Sequence, residues 1–127
     1  MFSHVTIGTN DIARARRFYN AIATPLGLVR HAEYPEAAGY GPKGGRPQLW
    51  VTRPLDKKAA TVGNGITIGL EVQDRPAVDA FYSAAIKEGG KDEGPPGLRT
   101  HYHPNYYAAY VRDLDGNKIC VVCHKPA

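Results

Sequence analysis

His4-Val5-Thr6-Ile7-Gly8 decides the reading of this chain, because Gly65-Ile66-Thr67-Ile68-Gly69 echoes it 61 positions later. A helical segment follows each copy. Asp11 through Phe18-Tyr19 overlies Asp74 through Phe81-Tyr82 at an offset of 63, the extra two residues being assigned to the strand-to-helix turn. Gln48 to Pro54 then overlies Cys120 to Pro126 at an offset of 72, with Gly44 on Gly116. Matches that keep their order and direction mark an internal duplication. The chain therefore divides into module one (1–54), a linker (55–64) and module two (65–127), forming a single domain.

Working outward, Val5 and Ile7 fall on one face of the first strand, and His4 and Thr6 on the other. Ile66, Ile68 and Leu70 repeat the apolar face in module two. Each sheet should thus have an apolar back for a helix and a small or polar front. Ile12, Ala15, Phe18, Tyr19 and Ile22 recur at helical spacing behind Asn10 or Asp11 as a cap, and Pro25 and Gly27 end the run. The second helix starts near Asp74 with Pro76 in its first turn, carries Val78, Phe81, Tyr82, Ala85 and Ile86, and stops at Gly89-Gly90. Residues 34–40, 48–52, 106–112 and 118–124 read as strands, with Asp113-Leu114-Asp115-Gly116-Asn117 as a hairpin turn. The pattern is strand, helix and further strands, twice over, in an α+β fold.

The 127 residues suit one domain, and 43% hydrophobic with 22% charged residues is ordinary globular usage. No apolar run approaches the roughly 18 residues of a membrane span, and Met1 to Val5 does not open a signal peptide. A cytoplasmic protein that does not engage the membrane is expected. The net charge of +4 is spread over scattered Lys and Arg without a basic arm or zinc-finger spacing. That argues against nucleic acid and leaves room for an anionic small molecule. Cys120 and Cys123 lie in a β-branched run, where positions three apart face opposite ways, so a redox or zinc pair is not expected.

The opening His4-Val5-Thr6-Ile7 with Asn10-Asp11-Ile12 and Phe18-Tyr19, and the closing Tyr110 to Ile119, resemble the vicinal oxygen chelate superfamily. That superfamily includes glyoxalase I, extradiol dioxygenases and bleomycin- and fosfomycin-resistance proteins. The resemblance implies two tandem βαβββ modules with curled mixed sheets around a cleft, commonly in a homodimer. It also implies a divalent metal held by His and Glu on the front faces. On the offsets above, His4 matches the first-strand ligand, Gly65 stands at its counterpart, Cys120 replaces the usual Glu, and Gln48 is the counterpart of Cys120. His4, Gln48 and Cys120 are then the metal candidates, favouring a zinc-like ion if any is bound, and ordinary glyoxalase I chemistry is not expected. For His4 the alternative is a hydrogen-bonded scaffold residue.

Gly94 to Tyr107 reads as a loop bearing His101 and His103, which are candidate acid, base or replacement ligands, or else solvated. Trp50, Tyr106, Tyr107, Tyr19 and Arg46 are candidate substrate contacts; packing or surface solvation is the alternative for Trp50 and Arg46. Two functions stay open. One is a lyase- or isomerase-type enzyme acting on a small carbonyl or thiol-conjugate metabolite. The other is a non-catalytic binder of drugs or small molecules.

Overall fold

The computed structural model describes residues 1–127. Its elements are β1 (Val5–Gly8), α1 (Ile12–Ala23), β2 (Leu28–Tyr34), β3 (Ala37–Pro42), β4 (Leu49–Thr52), β5 (Ile68–Glu71), α2 (Arg75–Lys87), β6 (Lys91–Leu98), β7 (Tyr107–Arg112) and β8 (Lys118–Cys123). Two four-stranded sheets result, ordered β1-β4-β3-β2 and β5-β8-β7-β6. In each, the first strand runs parallel to the last and the remaining pairs are antiparallel. The duplicated βαβββ layout of the expected fold is thus present, and the sheets are not closed. Neither helix is long and apolar enough to cross a membrane.

Local chemistry explains the elements. Asp11 and Asp74 cap the helices by accepting from the backbone N–H of Arg14 (3.1 Å) and Ala77 (2.9 Å). Phe18, Tyr19 and Ile22 of α1 and Val78, Phe81 and Ala85 of α2 are buried in one core with Ile7, Leu49 and Val51 of the first sheet and Val111, Ile119 and Val121 of the second. Each large side chain buried there contributes roughly 1.5–3 kcal/mol. Cys123 joins this core, whereas Cys120 lies on the other face of β8 with Tyr106 and Tyr110; both thiols are free.

Several boundaries differ from the sequence reading. Residues 34–40 are not one strand: β2 ends at Tyr34 and β3 begins at Ala37, with a turn at Pro35 and Glu36 between them. Strand β2 went unread because most of it is exposed and lacks clean alternation. The expected loop at 94–107 begins as strand, since β6 runs to Leu98. Its two prolines are tolerated on an edge strand whose ladder is irregular between Gly94 and Gly97. Gly65 belongs to a turn, at φ +97°, and β5 starts only at Ile68.

The two modules meet at a turn. Gly116 (φ +92°) closes Asp113–Asn117, its N–H donating to the Asp113 carbonyl. The buried Asp113 carboxylate accepts from the N–H groups of Asp115 and Asn117, from Asn117 Nδ2, and from the Tyr19 hydroxyl of module one at 2.6 Å. Asp115, its carboxylate only 4% exposed, accepts from Thr9 Oγ1 (2.5 Å), Asn10 N–H (2.9 Å) and Arg14 (3.0 Å) at the start of α1. Asn117 Nδ2 also donates to the Gly8 carbonyl at 2.9 Å. The linker closes over the same end of β1: Ala60 exchanges two hydrogen bonds with the Asn10 side chain. A Cβ at Gly8 would lie 3.0 Å from that of Ala60.

Removing the Asp115 carboxylate would leave Thr9 and the Asn10 N–H without their acceptor. Asp115→Ala should lower the unfolding free energy by roughly 2–4 kcal/mol, read as a lower urea midpoint at an unchanged m-value. A loss below about 0.5 kcal/mol, the range of ordinary surface substitutions, would show that the turn does not join the modules.

Candidate functional site

The strand register fixes which residues are equivalent. Val5 pairs with Leu49 and Ile68 with Ile119, so β1 maps onto β5 at an offset of 63, and β4 onto β8 at 70. The helix caps Asp11 and Asp74 give the same 63. This corrects the offsets of 61 and 72. The counterpart of His4 is Thr67, not Gly65, and the counterpart of Cys120 is Trp50, not Gln48, which lies beside His4.

Side chains of the two first strands share two crevices. One crevice of about 150 Å³ is lined by Val5, Gln48 and Leu49 on one side and Leu70 and Glu71 on the other. A second brings Ile7 to Ile66 and Ile68. The positions that the family resemblance assigns to a divalent ion therefore carry His4, Trp50, Thr67 and Cys120. An indole has no donor lone pair for a metal, a threonine hydroxyl is a weak neutral ligand, and no carboxylate is present. Cys120 is buried among Ala108, Val122 and the Tyr106 and Tyr110 side chains. His4 is exposed, its Nδ1 hydrogen-bonded to Ser3 Oγ at 2.9 Å. This donor set does not fit a catalytic divalent ion, which requires firm anionic or imidazole ligands.

The front face of module two is chemically richer. Tyr110 pairs with Cys120, Ala108 with Val122 and Tyr107 with Cys123, which sets Tyr106, Tyr110, Cys120 and His124 on one side. The Tyr106 and Tyr110 hydroxyls are 3.0 Å apart, and Tyr106 lies 3.7 Å from Cys120 Sγ. Burial, with the neighbouring Cys120, holds both phenols above their ordinary range, so they are O–H donors at neutral pH. Lys118 and Arg99 approach the Tyr110 ring at 5.6 and 5.5 Å. Arg99 is spent on the carbonyls of Pro95, Gly97 and Ala108, locking β6 to β7. Lys118 has no carboxylate partner, because Glu93 is held by Arg112. Together with His101, Tyr102 and Glu93, the Arg99, Tyr110 and Lys118 side chains line a crevice of about 220 Å³.

The remaining candidates divide. His103 lies on this face, with its Nε2 2.8 Å from His124 Nδ1. His101 stacks near Tyr102 and does not join His103. Tyr107 points the other way, its hydroxyl donating to Asp79 of α2 at 2.6 Å. Tyr19 is 2% exposed and belongs to the core. Arg46 is exposed and unpaired. Trp50 lies over Gly39, where a Cβ would approach its ring to 2.9 Å, and stacks with Tyr34 at 6.3 Å and 18°. Sequence reasoning missed Lys118, Tyr110 and His124 as site residues, although strict alternation from Cys120 already puts His124 on its face.

A family model described as "Glyoxalase/Bleomycin resistance protein/Dioxygenase superfamily" matches residues 1–121. The chain belongs to this superfamily. A glyoxalase/bleomycin resistance protein from Albidiferax ferrireducens T118 is 38% identical, with 99% of each chain covered and a TM-score of 0.87. A lactoylglutathione lyase from Agrobacterium tumefaciens shares the fold at 21% identity, covering 94% of this chain and 90% of its own, with a TM-score of 0.63. A glyoxalase-related enzyme from Fulvimarina pelagi does so at 19% identity, 97% and 87% coverage, and a TM-score of 0.73. Comparison with curated proteins gave no match. The superfamily scaffold carries many chemistries, so function must come from the site.

Phenols held above their ordinary range cost the fold stability only when pH rises past about 10, where the unfolded chain loses protons first. Spectrophotometric titration should therefore show late-ionising tyrosines, two of which disappear in the Tyr106→Phe/Tyr110→Phe variant. Ionisation of all eight tyrosines together near pH 10 would contradict the buried phenol pair.

Proposed function

We propose that this superfamily member binds a small anionic carbonyl compound or thiol conjugate on the front face of module two and polarises its carbonyl for a lyase- or isomerase-type proton transfer in which solvent water takes the carbon-bound proton. The observation that carries this reading is the convergence of an unpaired cation, Lys118, with the Tyr110 hydroxyl at one crevice, that hydroxyl being backed by Tyr106 at 3.0 Å. The ammonium attracts the anion, and the Tyr110 hydroxyl stabilises oxygen charge that develops at an adjacent carbonyl. No step is assigned to a metal, since the donors at the family positions do not fit one. A homodimer and a cytoplasmic location complete the proposal; exposed Phe2, Val29 and Tyr34 offer apolar surface for a second copy.

A second reading has its own observation. The Trp50–Tyr34 stack over Gly39 is a flat aromatic platform, suited to holding a planar drug-like molecule without chemistry. Calorimetric titration with a glutathione hemithioacetal and with planar cationic drugs separates the two. On the first reading the conjugate binds, Lys118→Ala weakens it about tenfold, and solvent exchange at the substrate carbon is detected. Drug binding that quenches Trp50, without conjugate binding or exchange, would overturn it in favour of the platform.

A further inference from the structure

Beside the Tyr106–Tyr110 pair, the same face holds an imidazole pair that this function has not used. His103 Nε2 and His124 Nδ1 are 2.8 Å apart, with ring centroids at 5.1 Å and an interplanar angle of 30°. Tyr106 meets both rings edge-on, at 5.6 and 5.5 Å. The Asn105 backbone N–H, at 3.1 Å, donates to His103 Nδ1. A nitrogen that accepts a hydrogen bond carries no proton, so neutral His103 holds its proton on Nε2. That N–H can only donate to His124 Nδ1, which in turn puts the proton of neutral His124 on its own Nε2. The direction of the whole chain follows from one backbone amide. The His124 Nε2–H is the ring nitrogen of the pair left without a protein partner, and it lies on an exposed residue.

The geometry points to a hydrogen-bond relay of fixed direction, Asn105 to His103 to His124, that presents the His124 Nε2–H to an oxygen of an anionic ligand, with His103 as its positioning residue. This inference rests on the proposed use of the face by a small anion. Charge supports an oxyanion over a cation: the segments Gly94 to Arg112 and Lys118 to Ala127 hold no Asp or Glu side chain, and Glu93 beside them is paired with Arg112. The same hydrogen-bond direction argues against a metal at the pair, because a His103 whose Nδ1 accepts an N–H cannot also give up the Nε2 proton to become a ligand. Carboxylate and phosphate share the required acceptor chemistry.

Ring-nitrogen NMR on the full chain at pH 7.5 tests this without a known substrate. Both His103 and His124 should be in the Nε2–H form before any addition. Inorganic phosphate, with acetate as the carboxylate arm, should move the His124 Nε2 signal, while Lys118, at the other end of β8, reads anion binding at the crevice separately. His103→Ala should release His124 into both tautomers and weaken phosphate binding about fivefold. His103→Gln, whose amide can donate in place of the ring, should recover most of the loss, and His31→Ala, on β2 of module one, should change neither readout. The relay is overturned if His103 is found in the Nδ1–H form, or if zinc chloride titrates both rings as ligands. It is also overturned if phosphate or acetate moves Lys118 but not His124. If neither anion moves either residue, the anion-binding reading of the face fails together with the relay, whatever the tautomers show.

Discussion

Everything at the centre of this protein depends on two carboxylates in a five-residue turn. Asp113 and Asp115 belong to module two, but Tyr19, Thr9, Asn10 and Arg14 of module one are their donors. Burying carboxylates is costly unless each lone pair is satisfied. Here backbone N–H groups, hydroxyls and a guanidinium supply those donors, so the turn fits in only one relation to α1. That relation brings Val5 and Ile7 of β1 to crevices shared with Leu70 and Ile68 of β5.

Two halves of about sixty residues would each bury too little surface to be secure alone. The shared core of Phe18, Ile22, Phe81 and Val121 makes them one folding unit, and the polar turn specifies how that core is shared. The same junction explains the close fit at Gly8, where the linker returns over β1. Burial also pushes the Tyr19 hydroxyl, bonded to Asp113, well above the usual phenol range, as expected of a donor whose ionisation would place two negative charges together.

Much of this was legible in the residues. Capping aspartates, helical periodicity and the Asp-rich turn lie in local sequence, and they predicted the duplicated modules and the opposite faces of Cys120 and Cys123. What was not legible was register. Matching His4-Val5-Thr6-Ile7 to Gly65-Ile66-Thr67-Ile68 by residue similarity displaced the alignment by two, a full strand period, so the faces came out right while the partners came out wrong. Only ladder pairing shows that Trp50 and Thr67, rather than Gln48 and Gly65, complete the set with His4 and Cys120. The His103–His124 contact was hidden for another reason: it depends on how the segment after β6 folds back over β8, which no periodicity records.

The consequence is a division of labour. The positions that the family resemblance assigns to a metal carry donors that do not fit one, while cations, phenols and imidazoles gather on module two. Elemental analysis of the purified protein beside its His4→Ala variant addresses that claim most directly. Both preparations should carry the same substoichiometric metal content. A divalent ion near one per chain in the native protein, lost in the variant, would contradict it.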